Sequence, residues 1–366
     1  MRGHFVAVSA LALWPALVSA QWTATRLHPE GSHDSAVGGV TADHQYGVWQ
    51  ATSFSFPKPV IWSGTSSFVN LAPGATDGGA LAGGIGDTQF GTFNGHASLW
   101  QGTPESRVDL NPIGLPGNSD VTSMAGSQQV GDYYTPGVGH AALWSGTAQS
   151  FVDLHPAGAQ LSIAYATDGV QQGGYVQFVA PHAALWSGTA ASMLDLNPIG
   201  SSGSHITGMV PGQQVGYATL GTPGIDHAGI WSGSAASWID LNPPNSYSQL
   251  FATCGSAEVG ILNGFDAAIW FGTPQSVIDL HSFLPNSYYY SIATSIAEED
   301  GVFYVGGWAE QAAGTREAFL WVGVPSPSTL SLAAPILLTS FRRRRGGVAP
   351  TSVPLTSALC TDRGHP

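Results

Sequence analysis

Short apolar runs alternate with clusters of Gly, Pro, Asn, Asp and Ser along almost the whole chain. Each run is about five residues long and bounded by turn formers, which predicts short β-strands joined by tight turns. Four kinds of run follow one another in a fixed order. A small-residue run such as Ile163-Ala-Tyr-Ala-Thr167 or Ile206-Thr-Gly-Met-Val210 comes first. Next stands Gln129-Val-Gly-Asp-Tyr133, matched by Gln214-Val-Gly-Tyr-Ala218. The third is His140-Ala-Ala-Leu-Trp144 and the fourth Ser150-Phe-Val-Asp-Leu154, and both return almost unchanged from His182 and from His227. Four strands in roughly 40 residues make one blade of a β-propeller.

The third-run tryptophan recurs at Trp62, Trp100, Trp144, Trp186, Trp231, Trp270 and Trp321. The fourth-run leucine recurs at Leu27, Leu71, Leu110, Leu154, Leu196, Leu241 and Leu280. Each series counts seven, and they are out of step at the ends. The chain opens on an orphan fourth strand, Thr23 to Leu27, and its last unit, ending at Trp321, lacks one. An N-terminal strand that completes the last blade would close the ring and remove both open sheet edges. The expectation is an all-β, seven-bladed propeller of 28 strands over residues 21–323. A β-solenoid fits less well, because its coils need about half this period and it has no use for the out-of-step ends.

The repeated residues have structural work to do. Each tryptophan can bury roughly 150–250 Å² between neighbouring sheets, an upper bound of about 4–6 kcal/mol by area. Ser-Gly after the tryptophan suits a hairpin turn, and the Asp of Asp-Leu can accept hydrogen bonds from turn amides. Proline after Asp-Leu-Asn or Asp-Leu-His stops the outer strand where a missing N–H costs little.

Composition narrows the possible partners. Net charge is −13, and charged residues make up only 9 % of the chain. Between residues 21 and 323 the basic side chains are Arg26, Lys58, Arg107 and Arg316, against 22 acids. Such a surface repels phosphate backbones and disfavours nucleic acid. Cys254 and Cys360 are the sole cysteines, one in a repeat and one in the tail, so an internal disulfide is not expected.

The two ends carry an address. Residues 1–20 read as a secretory signal peptide, with Arg2 before the apolar run Phe5 to Leu17 and Val18-Ser19-Ala20 before Gln21. After Trp321 come Val324-Pro-Ser-Pro-Ser-Thr-Leu330, an apolar stretch broken by Pro335, and Arg342, Arg343, Arg344 and Arg345. Hinge, apolar stretch and arginines in this order read as a membrane stop with positive charge inside, residues 324–345. Residues 346–366 show no periodicity and read as a disordered tail. The segment resembles the PEP-CTERM sorting signal of Gram-negative bacteria, with Pro325 and Pro327 at its start. Ser326 stands where that signal carries glutamate, and 21 residues follow the arginines. The resemblance implies handling by an exosortase and export to the envelope or extracellular matrix. The His-Ala-x-Leu-Trp, Asp-Leu and Gln-Val-Gly-Tyr units are similar to bacterial extracellular HAF-type repeats over residues 22–323. That similarity implies a secreted propeller and no catalytic residues.

Candidate chemistry divides into residues inside and outside the repeat. Four positions before each repeat tryptophan stand Lys58, His96, His140, His182, His227, Asp266 and Glu317. Four histidines on successive blades invite a metal ring. On third strands they would stand far apart, so hydrogen bonding within each blade is the reading adopted, with no metal and no cofactor. Outside the repeat, His33, His44, His205, Asp34, Asp43, Asp77, Asp87, Asp120, Asp132 and Asp168 are irregular, and several fall beside innermost strands where a funnel could collect them. Tyr288, Tyr289 and Tyr290, with Tyr247 and Phe251, offer a candidate sugar-stacking surface. No Gly-x-Ser-x-Gly, His-Glu-x-x-His, Cys-x-x-Cys pair, phosphate loop or EF-hand loop occurs.

These readings lead to an expectation of a monomeric, exported, non-enzymatic scaffold at the envelope, with polysaccharide or envelope proteins as partners. The competing expectation is a secreted propeller-fold carbohydrate hydrolase or lyase with a funnel site among the irregular Asp and His residues.

Overall fold

The computed structural model describes residues 21–324 apart from 136, 312 and 313. The leader, Pro325, Pro327, Arg342 to Arg345 and the tail 346–366 lie outside the described residues. Among those described, no helix is long and apolar enough to cross a membrane.

The described chain is a seven-bladed β-propeller. Blade 1 holds β2 (Asp34–Val40), β3 (Gln45–Gln50), β4 (Lys58–Trp62) and β5 (Phe68–Asn70), preceded in the chain by β1 (Gln21–Arg26). Blade 2 holds β6 (Gly79–Ile85), β7 (Thr88–Phe93), β8 (His96–Trp100) and β9 (Val108–Asp109). Blade 3 holds β10 (Ser119–Ala125), β11 (Gln128–Thr135), β12 (Val138–Trp144) and β13 (Val152–Asp153). Blade 4 holds β14 (Leu161–Thr167), β15 (Gln172–Gln177), β16 (Pro181–Trp186) and β17 (Leu194–Asp195). Blade 5 holds β18 (Gly203–Val210), β19 (Gln213–Leu220), β20 (Ile225–Trp231) and β21 (Ile239–Asp240). Blade 6 holds β22 (Ser248–Thr253), β23 (Glu258–Leu262), β24 (Asp266–Trp270) and β25 (Ile278–Asp279). Blade 7 holds β26 (Tyr288–Glu299), β27 (Val302–Gln311) and β28 (Arg316–Val324). β1 pairs antiparallel with β28, from Gln21 opposite Val324 to Arg26 opposite Phe319, and supplies the missing outer strand. The ring is therefore closed by its own N-terminal strand, as the out-of-step ends predict.

The first strands of neighbouring blades touch one another and form the inner ring. Each carries a one-residue bulge, for example between Val121 and Ser123 and between Ile206 and Gly208. The glycine of Gln-Val-Gly faces it. A Cβ on Gly131 or Gly216 would collide with the carbonyl oxygen of Asp120 or His205 across the ladder, and all seven blades share this approach. The seven repeat tryptophans are buried between sheets. Trp186, for instance, packs with Val130, Leu143 and Leu154 of the preceding blade. The indoles of Trp231 and Trp321 also donate to the carbonyls of Leu196 and Leu280 one blade back, at 2.9 and 3.0 Å.

A polar seam joins blade to blade. Ser204 Oγ accepts from the Ala183 amide of blade 4 at 3.0 Å and donates to Asn197 Oδ1 at 2.6 Å. Ser35, Ser119, Ser162, Ser248 and Ser291 repeat the arrangement with His28, Asn111, His155, Asn242 and His281. At the junction of blades 1 and 2 both partners are replaced together, by Gly79 and Ala72.

Below the tryptophans a second polar contact repeats. Gln45, Gln89, Gln129, Gln172 and Gln214 each accept the amide of the turn glycine that follows their blade's tryptophan, at 2.7–2.8 Å. Blade 6 carries Glu258 there, 1 % exposed, accepting from Gly272 N at 3.0 Å and from Gln213 Nε2 at 3.3 Å. Burial pushes its carboxyl up to about 7. A carboxyl raised in the folded state favours folding most below its unfolded value and loses that advantage as pH climbs through the folded one. Glu258→Gln is accordingly expected to stabilise the protein little at pH 5 and by roughly 2–3 kcal/mol at pH 8, read from denaturant melts at the two pH values. The blade 4 pair, Gln172 Nε2 donating to Gln128 Oε1 at 3.0 Å, shows that two glutamines fit such a site.

Candidate functional site

The strand ladders place one cross-strand pair per blade at the same register, just past the second-strand glycine. The pairs run Ala36 with Val48, Ala80 with Thr92, Asp120 with Asp132 and Ile163 with Tyr175. They continue as His205 with Tyr217, Gln249 with Ile261 and Ile292 with Trp308. All lie where first strands begin and second strands end, so they ring one mouth of the propeller. At two junctions the second-strand member reaches the first-strand member of the next blade. Thr92 donates its hydroxyl to Asp120, and the Tyr175 ring lies 4.4 Å from His205. Blades 1 and 2 contribute small or apolar groups to this ring; blades 3 to 5 concentrate the acids, phenols and imidazole.

Asp132 is the most perturbed acid of the mouth. It is 4 % exposed, and its Oδ2 has no hydrogen-bond partner. Burial, and then the charge of Asp120 on the adjacent strand, push its carboxyl up to about 7. Two carboxyls directly opposite on paired strands have Cβ atoms about 4.5–5.5 Å apart, close enough for the charge of Asp120 to disfavour ionisation of Asp132. Tyr134, two residues along β11 on the same side, is exposed, and burial together with Asp132 raises its phenol.

From Asp132 a run of rings crosses blades 4 and 5. Tyr165 stacks with Tyr175 at 5.9 Å, and His205 stacks with Tyr217 at 4.8 Å. Burial pushes Tyr165 up to about 12 and also raises Tyr217, so both phenols stay protonated donors. His205 is driven down to about 4 by burial, partly offset by Asp226, and its Nδ1 is buried without a partner. The run ends at Asp226. Its carboxylate accepts Thr219 Oγ1 at 2.6 Å, Gln249 Nε2 at 2.8 Å and the Tyr247 hydroxyl at 3.2 Å.

The structure divides the aromatic residues singled out from sequence. Tyr247 and Tyr290 occupy the equivalent position on blades 6 and 7 and border the mouth. Tyr290 packs 5.2 Å from Trp308, and after burial and Asp226 it helps to raise the Tyr247 phenol, which reaches about 12. Phe251 is the bulge residue of β22, at the position held by Tyr165 on blade 4. Tyr288 turns into the core, bonding Glu317 and packing on Phe319, while Tyr289 is exposed and donates to Glu310 at 2.8 Å.

Of the irregular acids and histidines, Asp120, Asp132 and His205 converge on the mouth. The others do not. Arg316 holds Asp34 in a two-pronged ion pair, with its Nη2 3.0 Å from Oδ2. Asp168 Oδ1 accepts the turn amides of Val170 and Gln171, and the Asp77 carbonyl accepts from Lys58. His44 and Asp87, with Tyr46, line a hollow near the hairpins on the opposite face, and Asp43 sits in the adjoining turn. His33 has a buried Nδ1 without a partner.

The repeat histidines are paired within their own blades. His96, His140, His182 and His227 meet Asp109, Asp153, Asp195 and Asp240 through Nδ1 at 2.8–2.9 Å. Blade 7 substitutes Glu317 with Arg26 at 2.5 Å, reversing the charges at the same two positions. Among the described residues no group of three or more His, Cys, Asp or Glu is placed to hold a metal ion.

No family model and no curated protein matches the sequence. Solved structures do match the fold. A puromycin hydrolase superposes with a TM-score of 0.54 at 11 % identity, over 82 % of this chain and 57 % of its own. The β-propeller domain of the Trilobed protease from Pyrococcus furiosus gives 0.53 at 10 %, over 79 % and 95 %. An oligogalacturonate lyase in complex with manganese gives 0.53 at 11 %, over 85 % and 98 %. The chain thus spans a little over half the length of the puromycin hydrolase. At these identities the likeness establishes the propeller fold and carries no activity across.

It nevertheless corrects the expectation of a non-enzymatic protein. That expectation rested on near-identical blades and few polar irregularities, yet the similar structures include a hydrolase and a lyase. Regular blades are no argument against catalysis, because catalytic groups need only a few variable positions. Tyr165, Tyr175, Tyr217, Asp226 and Gln249 escaped the sequence reading. For Tyr175 and Tyr217 the signal is the residue that follows the second-strand glycine, which varies while its neighbours repeat; Tyr165 and Gln249 on first strands and Asp226 on a third strand carry no such mark.

The buried imidazole yields a pH prediction. A histidine lowered to about 4 from its usual 6.5 destabilises the folded state progressively as pH falls between those values. His205→Gln should therefore resist acid better than the parent, with an advantage on the order of 1–3 kcal/mol at pH 4 that disappears by pH 7.5. Paired urea titrations across this range measure it.

Proposed function

We propose that the chain is an exported glycoside hydrolase whose site is the mouth ringed by blades 3 to 6. The observation that carries the reading is Asp132, a buried carboxyl that binds its proton up to about pH 7 beside an acid partner, Asp120. Pairs of acids whose surroundings push their proton affinities apart are suited to glycosidic bond cleavage. Protonated Asp132 gives its proton to the glycosidic oxygen as the bond to the anomeric carbon breaks. Asp120, oriented by the Thr92 hydroxyl, faces the positive charge that develops there. Water completes the hydrolysis, its hydroxyl going to the sugar and its proton back to the carboxyl pair.

Elimination from a uronic acid fits less well. That reaction needs the sugar carboxylate neutralised, and the basic side chains of the propeller are engaged elsewhere. Arg26 pairs with Glu317, Arg316 with Asp34 and Arg107 with Asp109, while Lys58 donates to the carbonyls of Ala75 and Asp77. Export to the envelope, with exosortase handling, belongs to the same proposal and is supported by the two ends of the sequence.

Reducing-sugar release by the full chain on a polysaccharide panel tests the activity. The expected profile loses kcat/KM as pH rises through about 7, when Asp132 gives up its proton. Asp132→Asn should cost on the order of 10²–10⁴-fold in kcat. Unchanged release by both Asp132→Asn and Asp120→Asn would overturn the assignment.

A further inference from the structure

The acid pair sits at one end of a longer surface. Tyr165, Tyr175, His205 and Tyr217 follow one another at ring separations of 5.9, 4.4 and 4.8 Å, and Asp226 with its three donors closes the far end. On the same face, the connections between second and third strands of blades 4 to 6 expose Phe178, Val179, Ile225 and Phe265. Tyr175 is buried and Tyr165, His205 and Tyr217 are half-buried, so with the exposed loop residues they make an aromatic and apolar track with a hydrogen-bonding group at each end and, among the described residues, no free cation along it. Arg316, at the start of the third strand of blade 7 on this face, already holds Asp34.

We infer that blades 4 to 6 form a row of subsites for a neutral polysaccharide strand, so that the protein grips several sugar units on one side of the bond it cuts. The inference rests on the hydrolase reading for the position of that bond, but the row itself is a binding claim. Pyranose rings present apolar C–H faces that settle on aromatic rings, and their hydroxyls at the rim meet the protonated phenols and the acceptor Asp226. The imidazole of His205 stands in the middle of the row, packed between Tyr175 and Tyr217 with its Nδ1 buried, and so holds the two rings at their spacing. A uronate strand is excluded by the same chemistry. Its carboxylates would lie against Asp120, Asp132 and Asp226 with no cation to offset them.

The test is calorimetric titration of the full-length Asp132→Asn protein, which binds without turnover, with cellotetraose, xylotetraose, mannotetraose, the matching disaccharides and tetragalacturonate. At least one neutral tetrasaccharide is expected to bind ten-fold or more tighter than its disaccharide, and tetragalacturonate not to bind. Tyr175→Leu and Tyr217→Leu should abolish the gain from chain length, while Tyr217→Phe, which keeps the ring, retains it and controls for folding. Equal affinity for short and long sugars, silence with every neutral tetrasaccharide, or preference for tetragalacturonate overturns the inference. So does indifference to the two leucine substitutions. Cleavage that survives Asp132→Asn while the tyrosine variants lose binding would sink Asp132 as the catalytic acid and leave the subsites standing. The opposite pattern would do the reverse.

Discussion

A backbone carbonyl on each innermost strand occupies the space where the neighbouring strand would otherwise place a Cβ. This close approach repeats seven times, and much of the propeller's sequence regularity answers to it. It forces glycine into the second strand, directly against the bulged first strand of the same blade. The tryptophans then fill the wedge between sheets, and the serine seam ties the amide of one blade to the hydroxyl of the next. Closure follows from the same geometry. Once six four-stranded blades are set, the seventh has room for one more strand at its outer edge, and β1 takes it with Arg26 against Glu317.

A constraint this strict also says where chemistry can live. The residue after the glycine and its partner across the ladder sit at the strand ends that ring the mouth, some of them buried there, and they vary from blade to blade while the glycine does not. Blades 1 and 2 keep Ala36, Val48, Ala80 and Thr92 at those positions; blade 3 carries two aspartates and blades 4 and 5 three aromatic rings and Ile163. The resulting mouth is lopsided, with an acid pair beside blade 2 and an aromatic track leading away from it. Charge follows the same economy. The basic side chains brace blades or hold carbonyls, so the mouth keeps its acidity and the burial of Asp132 is not relieved by a nearby cation.

The architecture was legible because tryptophan and leucine mark every blade and their series disagree at the ends, which encodes the closing strand directly. The pairing of the repeat histidines with aspartates thirteen residues on was legible in kind, since side chains on third strands stand too far apart to share a ligand. The site was legible only in fragments. Asp120, Asp132 and His205 stood out as irregular, but nothing in their spacing shows that a ring brings blades 3 and 5 to one opening. The run Tyr288-Tyr289-Tyr290 read as one aromatic patch, whereas strand alternation and a bulge send its members to the core, to solvent and to the mouth. Tyr175 and Tyr217 were hidden by their surroundings, because a variable residue inside a strong repeat reads as noise in the repeat. The same averaging led from regular blades to the expectation of a protein without catalysis, an expectation that the similar structures, a hydrolase and a lyase among them, do not support.

The account turns on Asp132 sharing a proton-binding environment with Asp120, and carboxyl carbon NMR of selectively labelled protein reads that directly. The titration of Asp132 is predicted to have its midpoint near pH 7 and to move down when Asp120 is replaced by asparagine, remaining above the ordinary aspartate range because burial persists. A midpoint near 4 that ignores the Asp120 substitution would contradict the account, leaving the mouth of the propeller without its acid.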